Sequence, residues 1–161
     1  PAAILRKKFG FERLPDFDAA VWEQVRKKAM SQIKSVHRGI IAGSDKSAQA
    51  VQAALRNCEM LDKSHVIQIS QRDVFEIENL EGHTIVCNPP YGIRLGKGRD
   101  LSALYKNLGD FLKQKCRGTN VFIYFGEPEY IKSVGLKPCW KQPLSNGGLD
   151  GRLVKFEVYR G

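Results

Sequence analysis

Several features that define whole classes of protein are missing from this sequence. Its apolar runs all fall short of a membrane-spanning helix, and no signal peptide opens it. It has only three histidines, and its four cysteines, Cys58, Cys87, Cys116 and Cys139, form no CxxC pair. These absences predict a cytoplasmic protein that binds no membrane and no metal and keeps its cysteines reduced.

Positive charge, by contrast, is in large excess. The chain carries 26 Lys and Arg against 17 Asp and Glu, a formal net charge of +9. That excess suits a polyanionic partner, although an ordinary basic surface would give the same count. A length of 161 residues allows one domain with a substantial core but hardly two. Because neither a repeat nor a linker is visible, we expect residues 1–161 to form one domain.

Strand and helix patterns alternate along most of the chain. Short apolar or alternating runs predict β-strands at residues 39–43, 65–70, 84–87 and 120–126. The first helical pattern begins at Asp18, and we expect Gly39 to end it. The second is expected to be capped by Ser44 or Asp45, and the third opens at Asp100.

The remaining residues complete the predicted architecture. A short helix is expected over 127–134, followed by two extended runs around Asn146-Gly147-Gly148. That tripeptide is a hairpin signal, for which we expect a loop longer than the minimal two residues. The whole order predicts an α/β fold with a mostly parallel sheet and an antiparallel hairpin at its end. In such sheets ligands bind at the carboxyl ends of the strands.

The most unusual stretch is IVCNPPYG, residues 85–92, at the end of a predicted strand. Proline holds φ at about −65° and has no N–H, and a residue that precedes proline is driven into an extended conformation. Asn88-Pro89-Pro90 is therefore a stiff corner. The hydrogen-bonding groups that it leaves available are the Asn88 amide and the carbonyls of Asn88 and Pro89.

Acceptors beside an aromatic ring suit a planar ligand that carries an exocyclic amino group. The Asn88 side-chain oxygen and the Pro89 carbonyl oxygen could accept hydrogen bonds from both N–H groups of such an amine. The nitrogen would then become pyramidal and direct its lone pair at an electrophile, while Tyr91 stacks on the base. Orientation and fixed dipoles suffice for this chemistry. The alternative is a rigid surface turn or a docking segment; the position after a buried strand favours the chemical interpretation.

Asn88-Pro89-Pro90-Tyr91 resembles the (Asn/Asp/Ser)-Pro-Pro-(Tyr/Phe/Trp) motif of S-adenosylmethionine-dependent amino-methyltransferases. The longer string NPPYGIRLGKGRDLSALYKNLGDFLK is similar to one branch, the RlmL-type ribosomal RNA guanine-N2 methyltransferases, often named N6-adenine-specific DNA methylases. KFGFERLPDFDAAVW, IAGSDKSAQAVQAALRN and NGGLDGRLVKFEVYRG resemble other parts of that family. The resemblance covers essentially the whole chain. It implies a Rossmann-like fold, S-adenosylmethionine as cofactor and ribosomal RNA as partner.

The resemblance also implies roles for individual residues at the cofactor. Asp45 would accept hydrogen bonds from the ribose hydroxyls, although a simple helix N-cap would explain it as well. Asp73 would face the cofactor adenine, unless it is an ordinary surface aspartate. Asn88 would border both the methyl donor and the target amine.

A second group of residues would hold the nucleic acid. Arg94, Lys97 and Arg99, in the loop after the corner, could grip RNA phosphates. Three basic residues nearer the start of the chain, Lys7, Lys8 and Arg13, could extend that contact surface. Exposed basic residues are common, so the alternative in each case is an ordinary solvated side chain.

One part of the family pattern has no counterpart in these residues. The family begins its catalytic domain with a strand and a glycine-rich loop of the Asp-Pro-x-x-Gly-Ser-Gly-Thr kind, which holds the methionine part of the cofactor. Within residues 1–161 the only glycine before Gly39 is Gly10, and no stretch resembles the RNA-binding THUMP domain of the family. We therefore expect a partial catalytic domain that is inactive in isolation. Its open strand edges, at 39–43 and 84–87, would promote self-association.

Two alternatives stay open at this stage. Adenine-N6 methylation of DNA would use the same corner as guanine-N2 methylation of RNA. A non-catalytic nucleic-acid-binding remnant would also account for the charge of +9 and for the missing loop.

Overall fold

The computed structural model describes residues 5–61, 65–90 and 100–160. The chain divides into two compact units, Pro1–Val74 and Phe75–Gly161. Within the described ranges, no helix combines the length and the apolar character that crossing a membrane requires.

In the first unit a 3-10 helix, Gly10–Arg13, precedes helix α1, Ala19–Ser31. Asp18 caps it as predicted, since its carboxylate accepts hydrogen bonds from the main-chain N–H groups of Ala20 and Val21 at 2.8 and 3.0 Å. The predicted end at Gly39 is wrong, because the helix stops at Ser31. The β-branched side chains of the following segment, at Ile33 and Val36, favour extended backbone over helix.

A parallel pair of strands with a helix between them completes the first unit. Strand β1, Ile41–Asp45, lies beside β2, Ile67–Gln71, and helix α2, Ala48–Met60, connects them. Both strands begin and end later than predicted. Consequently neither Ser44 nor Asp45 caps α2, as both belong to β1; the cap is Ser47, whose hydroxyl accepts a hydrogen bond from the Ala50 N–H at 3.3 Å.

The second unit contains a four-stranded sheet. Its elements are β3, Thr84–Cys87; α3, Ser102–Lys115; β4, Asn120–Phe125; a 3-10 helix, Pro128–Val134; β5, Pro138–Asn146; and β6, Leu149–Glu157. The strand order is β3-β4-β6-β5. β3 and β4 are parallel, whereas β6 runs antiparallel to both of its neighbours.

The expectation of a mostly parallel sheet is therefore corrected to mixed sheets. Among the described residues, two strand pairs are parallel, β1-β2 and β3-β4, and two are antiparallel, β4-β6 and β5-β6. The reason is that the hairpin inserts β6 directly beside β4. The α/β class itself is confirmed.

The hairpin turn is tighter than predicted. β5 ends at Asn146 and β6 begins at Leu149, which leaves Gly147 and Gly148 as the whole loop. Both glycines have positive φ, 56° and 85°. A two-residue hairpin loop of this kind requires the left-handed region at both positions, and two consecutive glycines enter it without strain.

The core of the second unit lies between α3 and one face of the sheet. Tyr105, Leu112, Val121, Phe125 and Phe156 are among its fully buried side chains. Asp100 lies just before α3 and accepts a hydrogen bond from the Ser102 N–H at 2.8 Å, so it supports the helix start as predicted. By comparison, the hydrophobic side chains buried in the described part of the first unit are only Val51, Cys58 and Val66, each with 7–8% of its surface exposed.

Candidate functional site

The Asn88-Pro89-Pro90 corner lies at the carboxyl end of β3. Asn88 and Pro90 are exposed, and Pro89 is half-buried. β3 pairs with β4 in parallel register, Cys87 opposite Ile123, so the carboxyl ends of both strands reach the same edge of the sheet. That edge is where parallel sheets bind ligands. The predicted position of Asn88 at a sheet edge and in contact with solvent is thus confirmed.

Directly beneath the corner the chain enters the core. Cys87 packs against the buried cluster of the second unit, and burial raises the pKa of its thiol to about 12. The thiol is therefore protonated at physiological pH, which disfavours a role as nucleophile. All four cysteines of the chain are free thiols.

Near the carboxyl ends of β3 and β4 lie two further residues that sequence reasoning missed. Glu127 follows β4 and is half-buried. Tyr105, in the first turns of α3, is fully buried and interacts electrostatically with both Cys87 and Glu127. From the sequence Tyr105 was only one member of an apolar helix stripe. The available signal was the phenolic hydroxyl, which needs a polar partner when a tyrosine is buried.

Asp45 and Asp73 occupy a corresponding edge in the first unit. Asp45 ends β1 opposite Gln71, the last residue of β2, and Asp73 follows shortly after it. The main-chain oxygen of Asp45 accepts a hydrogen bond from the Arg72 N–H at 3.1 Å. The structure therefore brings these two predicted residues to one edge of a parallel pair of strands.

The side chain of Asp45 has a local role as well. It accepts a hydrogen bond from the Ser47 N–H at 2.7 Å, which shapes the turn from β1 into α2. This is close to the helix-cap alternative, although Ser47 is the actual cap. Asp45 remains exposed, so its carboxylate is still accessible to hydroxyl groups of a ligand.

The residues predicted to bind nucleic acid fall into two groups. Tyr91, Arg94, Lys97 and Arg99 lie outside the described residues, and their roles stay predictions. In the first unit, Lys7, Lys8 and Arg13 are exposed. They flank an aromatic group in which the rings of Phe9 and Phe11 pack on Trp22, with centroid distances of 5.3 and 4.9 Å.

Comparison with protein families gives a match over nearly the whole chain. Residues 2–155 match the family described as RMKL-like, methyltransferase domain. A candidate RNA methyltransferase of Synechocystis sp. is 34% identical over 154 residues, covering 94% of this chain and 40% of the relative. The ribosomal RNA large subunit methyltransferase K/L of Allochromatium vinosum is 31% identical over 161 residues, covering 96% and 22%. The chain thus spans well under half the length of these relatives.

Solved structures with the same fold include two of more than 25% identity. A candidate methylase from Clostridium difficile 630 has a TM-score of 0.73 and 27% identity, covering 98% of this chain and 42% of that one. A candidate methyltransferase solved in complex with S-adenosylhomocysteine has the same TM-score and coverage, with 26% identity.

Proposed function

Because the chain belongs to the family of RMKL-like methyltransferase domains, we propose that it forms the amine-binding part of an S-adenosylmethionine-dependent enzyme. The reaction proposed is methyl transfer to the exocyclic N2 of guanine in large-subunit ribosomal RNA. One observation carries this proposal: the exposed Asn88-Pro89-Pro90 corner at the carboxyl end of a strand that is parallel to its neighbour.

The corner prepares the amine for attack. The Asn88 side-chain oxygen and the Pro89 carbonyl oxygen accept hydrogen bonds from the two N–H groups, which draws the nitrogen lone pair out of conjugation with the base. When bound, S-adenosylmethionine supplies its methyl group as the electrophile. The nitrogen would take the methyl group as the sulfur–methyl bond of the cofactor breaks, S-adenosylhomocysteine would be the leaving group, and the nitrogen would lose a proton to solvent. Tyr91 holds the extruded base by stacking. The rate gain comes from orientation and fixed dipoles.

The arrangement of the first unit fits the adenosyl part of the cofactor. Asp45 and Asp73 follow neighbouring parallel strands, and the Asp45 carboxylate is exposed. An exposed carboxylate suits a ribose diol, since it can accept hydrogen bonds from both hydroxyls. We assign Asp45 to the ribose and Asp73 to the adenine. The relative solved with S-adenosylhomocysteine supports the choice of cofactor.

RNA is the partner that best fits the charge of the chain and the names of its relatives. The net charge is +9, and the relatives include a ribosomal RNA large subunit methyltransferase. Arg94, Lys97 and Arg99 follow the corner in sequence and are proposed to bind phosphates next to the target base.

The test uses the complete protein that contains this chain. It is incubated with labelled S-adenosylmethionine and either a large-subunit ribosomal RNA transcript or duplex DNA, and the modified nucleosides are identified after digestion. We expect N2-methylguanosine from the RNA and no label in the DNA. N6-methyladenine in DNA would support the alternative substrate, and the absence of transfer to either would contradict the proposed function.

The 161-residue chain by itself is proposed to be inactive. It contains no Asp-Pro-x-x-Gly-Ser-Gly-Thr segment, so the methionine end of the cofactor would lack its orienting contacts. Calorimetry of this chain with S-adenosylmethionine checks the point. Binding at low micromolar affinity would show that the cofactor site has been assigned wrongly.

A further inference from the structure

The hydroxyl of one buried tyrosine, which interacts with the residue before the corner, finds no hydrogen-bond partner among the described residues. Tyr105 has 0% of its surface exposed, yet none of the described residues donates to its hydroxyl or accepts from it. An unsatisfied hydroxyl in a protein interior is unfavourable, and a phenylalanine would fill the same space without that cost. A tyrosine at this position fits a protein in which the hydroxyl gains a partner in a second state.

The ring of Tyr105 is held in one orientation. It is stacked between two aromatic side chains, Phe125 at a centroid distance of 5.1 Å and Tyr130 at 5.3 Å, with interplanar angles of 26° and 13°. Phe125 ends β4, and Tyr130 belongs to the 3-10 helix that follows. A fully buried ring that stacks on two neighbours has little room to swing away, so the partner of its hydroxyl has to come to it.

The groups that interact with the hydroxyl include the residue next to the corner. Its neighbours by electrostatic interaction are Cys87, Glu127 and Tyr130. Cys87 is the residue directly before Asn88. Burial, reinforced by these three groups, raises the pKa of Tyr105 above its usual range. The hydroxyl therefore keeps its proton at every physiological pH and is available as a donor.

The corner has one acceptor that the proposed chemistry does not use. The target amine occupies the Asn88 side-chain oxygen and the Pro89 carbonyl, which leaves the main-chain carbonyl of Asn88. We propose that Tyr105 is a positioning residue, whose hydroxyl donates to the Asn88 carbonyl once the base has entered and so holds the two amine acceptors in line. This inference rests on the proposed function, because it supplies a support for the same corner.

Tyr105→Phe in the complete protein tests the inference, with Tyr124→Phe as the matched control. Tyr124, in β4, is another nearly buried tyrosine, and its ring packs against Gly151 of β6. For Tyr105→Phe we expect turnover at saturating substrates to fall about fivefold to tenfold, the effect of one net hydrogen bond. The KM for S-adenosylmethionine should stay within about twofold of the parent value, because a single hydrogen bond at the amine leaves the cofactor contacts unchanged. The thermal midpoint should be unchanged or higher.

A purely structural role would give a different set of results. A lower thermal midpoint in Tyr105→Phe would show that the hydroxyl already has a partner in the resting protein, which overturns the inference. Unchanged turnover in that variant overturns it as well, and so does an equal loss of turnover in Tyr124→Phe.

Asn88→Ala, measured in the same assay, separates this inference from the proposed function. If Asn88→Ala is inactive and Tyr105→Phe fully active, only the role of Tyr105 is refuted. If Asn88→Ala keeps full turnover, or the parent protein transfers no methyl group, the proposed function fails and the inference fails with it.

Discussion

Asn88 combines two properties that few residues share, a fixed backbone and a side chain open to solvent. The prolines at 89 and 90 restrict the backbone, and the side chain stands outside the core. We therefore expect that substitution of Asn88 leaves the fold intact. This makes it a suitable position for separating chemistry from stability.

Tyr91 is proposed to act through its ring, and two substitutions in the complete protein test that role. Tyr91→Ala should lower turnover by at least about tenfold, since stacking of an aromatic ring on a base contributes about 1–3 kcal/mol. Tyr91→Phe should stay close to the parent protein, because the ring face is kept. Steady-state turnover with labelled cofactor is the measurement. Equal losses in the two variants would indicate that the hydroxyl is the functional group.

The Asn88-Pro89-Pro90 corner could be predicted from the sequence, whereas the proposed positioning role of Tyr105 could not. The restriction imposed by two consecutive prolines is local, so it can be derived from the sequence alone. The environment of Tyr105 depends on Phe125 and Tyr130, which are distant in the chain and meet it only after folding. No local pattern contains that information.

Helix α3 packs closely against the 3-10 helix, Pro128–Val134. A Cβ atom added at Gly109 would clash with the main-chain carbonyl of Val134, the last residue of the 3-10 helix. The absence of a side chain at Gly109 lets these two elements pack against each other. That packing also places Tyr130 over Tyr105.

Gly109→Ala should therefore destabilise the protein, although alanine is the better helix former. We expect a loss of about 1–3 kcal/mol in the free energy of unfolding, because rigid main-chain atoms must move apart. Urea unfolding of the variant and the parent is the measurement. Gly10→Ala is the control, since no described atom lies within 4 Å of the Cβ position there. Equal stability of Gly109→Ala and the parent would show that α3 can shift at no cost.

The element bounds show what sequence patterns resolve. The cap at Asp18 and the strand at residues 84–87 were predicted correctly, because a capping side chain and a short apolar run are local signals. The prediction of the residue that caps α2 was wrong, because β1 continues to Asp45 through its pairing with β2. The insertion of β6 beside β4 is likewise a long-range pairing, and this is why the sheet was expected to be mostly parallel.

For the molecule as a whole, the net charge of +9 is the property most open to direct test. If phosphate contacts hold the RNA, binding releases condensed counterions, and affinity has to fall as salt rises. Even two such contacts give about a tenfold loss between roughly 50 and 200 mM salt. We expect at least that loss for the complete protein, measured by fluorescence anisotropy with a labelled ribosomal RNA fragment. A flat titration would mean that the positive charge has no part in RNA binding.

The central claim is that the exposed Asn88-Pro89-Pro90 corner orients an exocyclic amine for methyl transfer. Asn88→Ala in the complete protein tests it most directly, with Asn107→Ala, at an exposed position of α3, as the matched control. We predict that Asn88→Ala lowers turnover by at least about a hundredfold, the effect of losing a group that stabilises the transition state. Its thermal midpoint should stay near that of the parent, and Asn107→Ala should remain active. Near-normal turnover in Asn88→Ala would contradict the account.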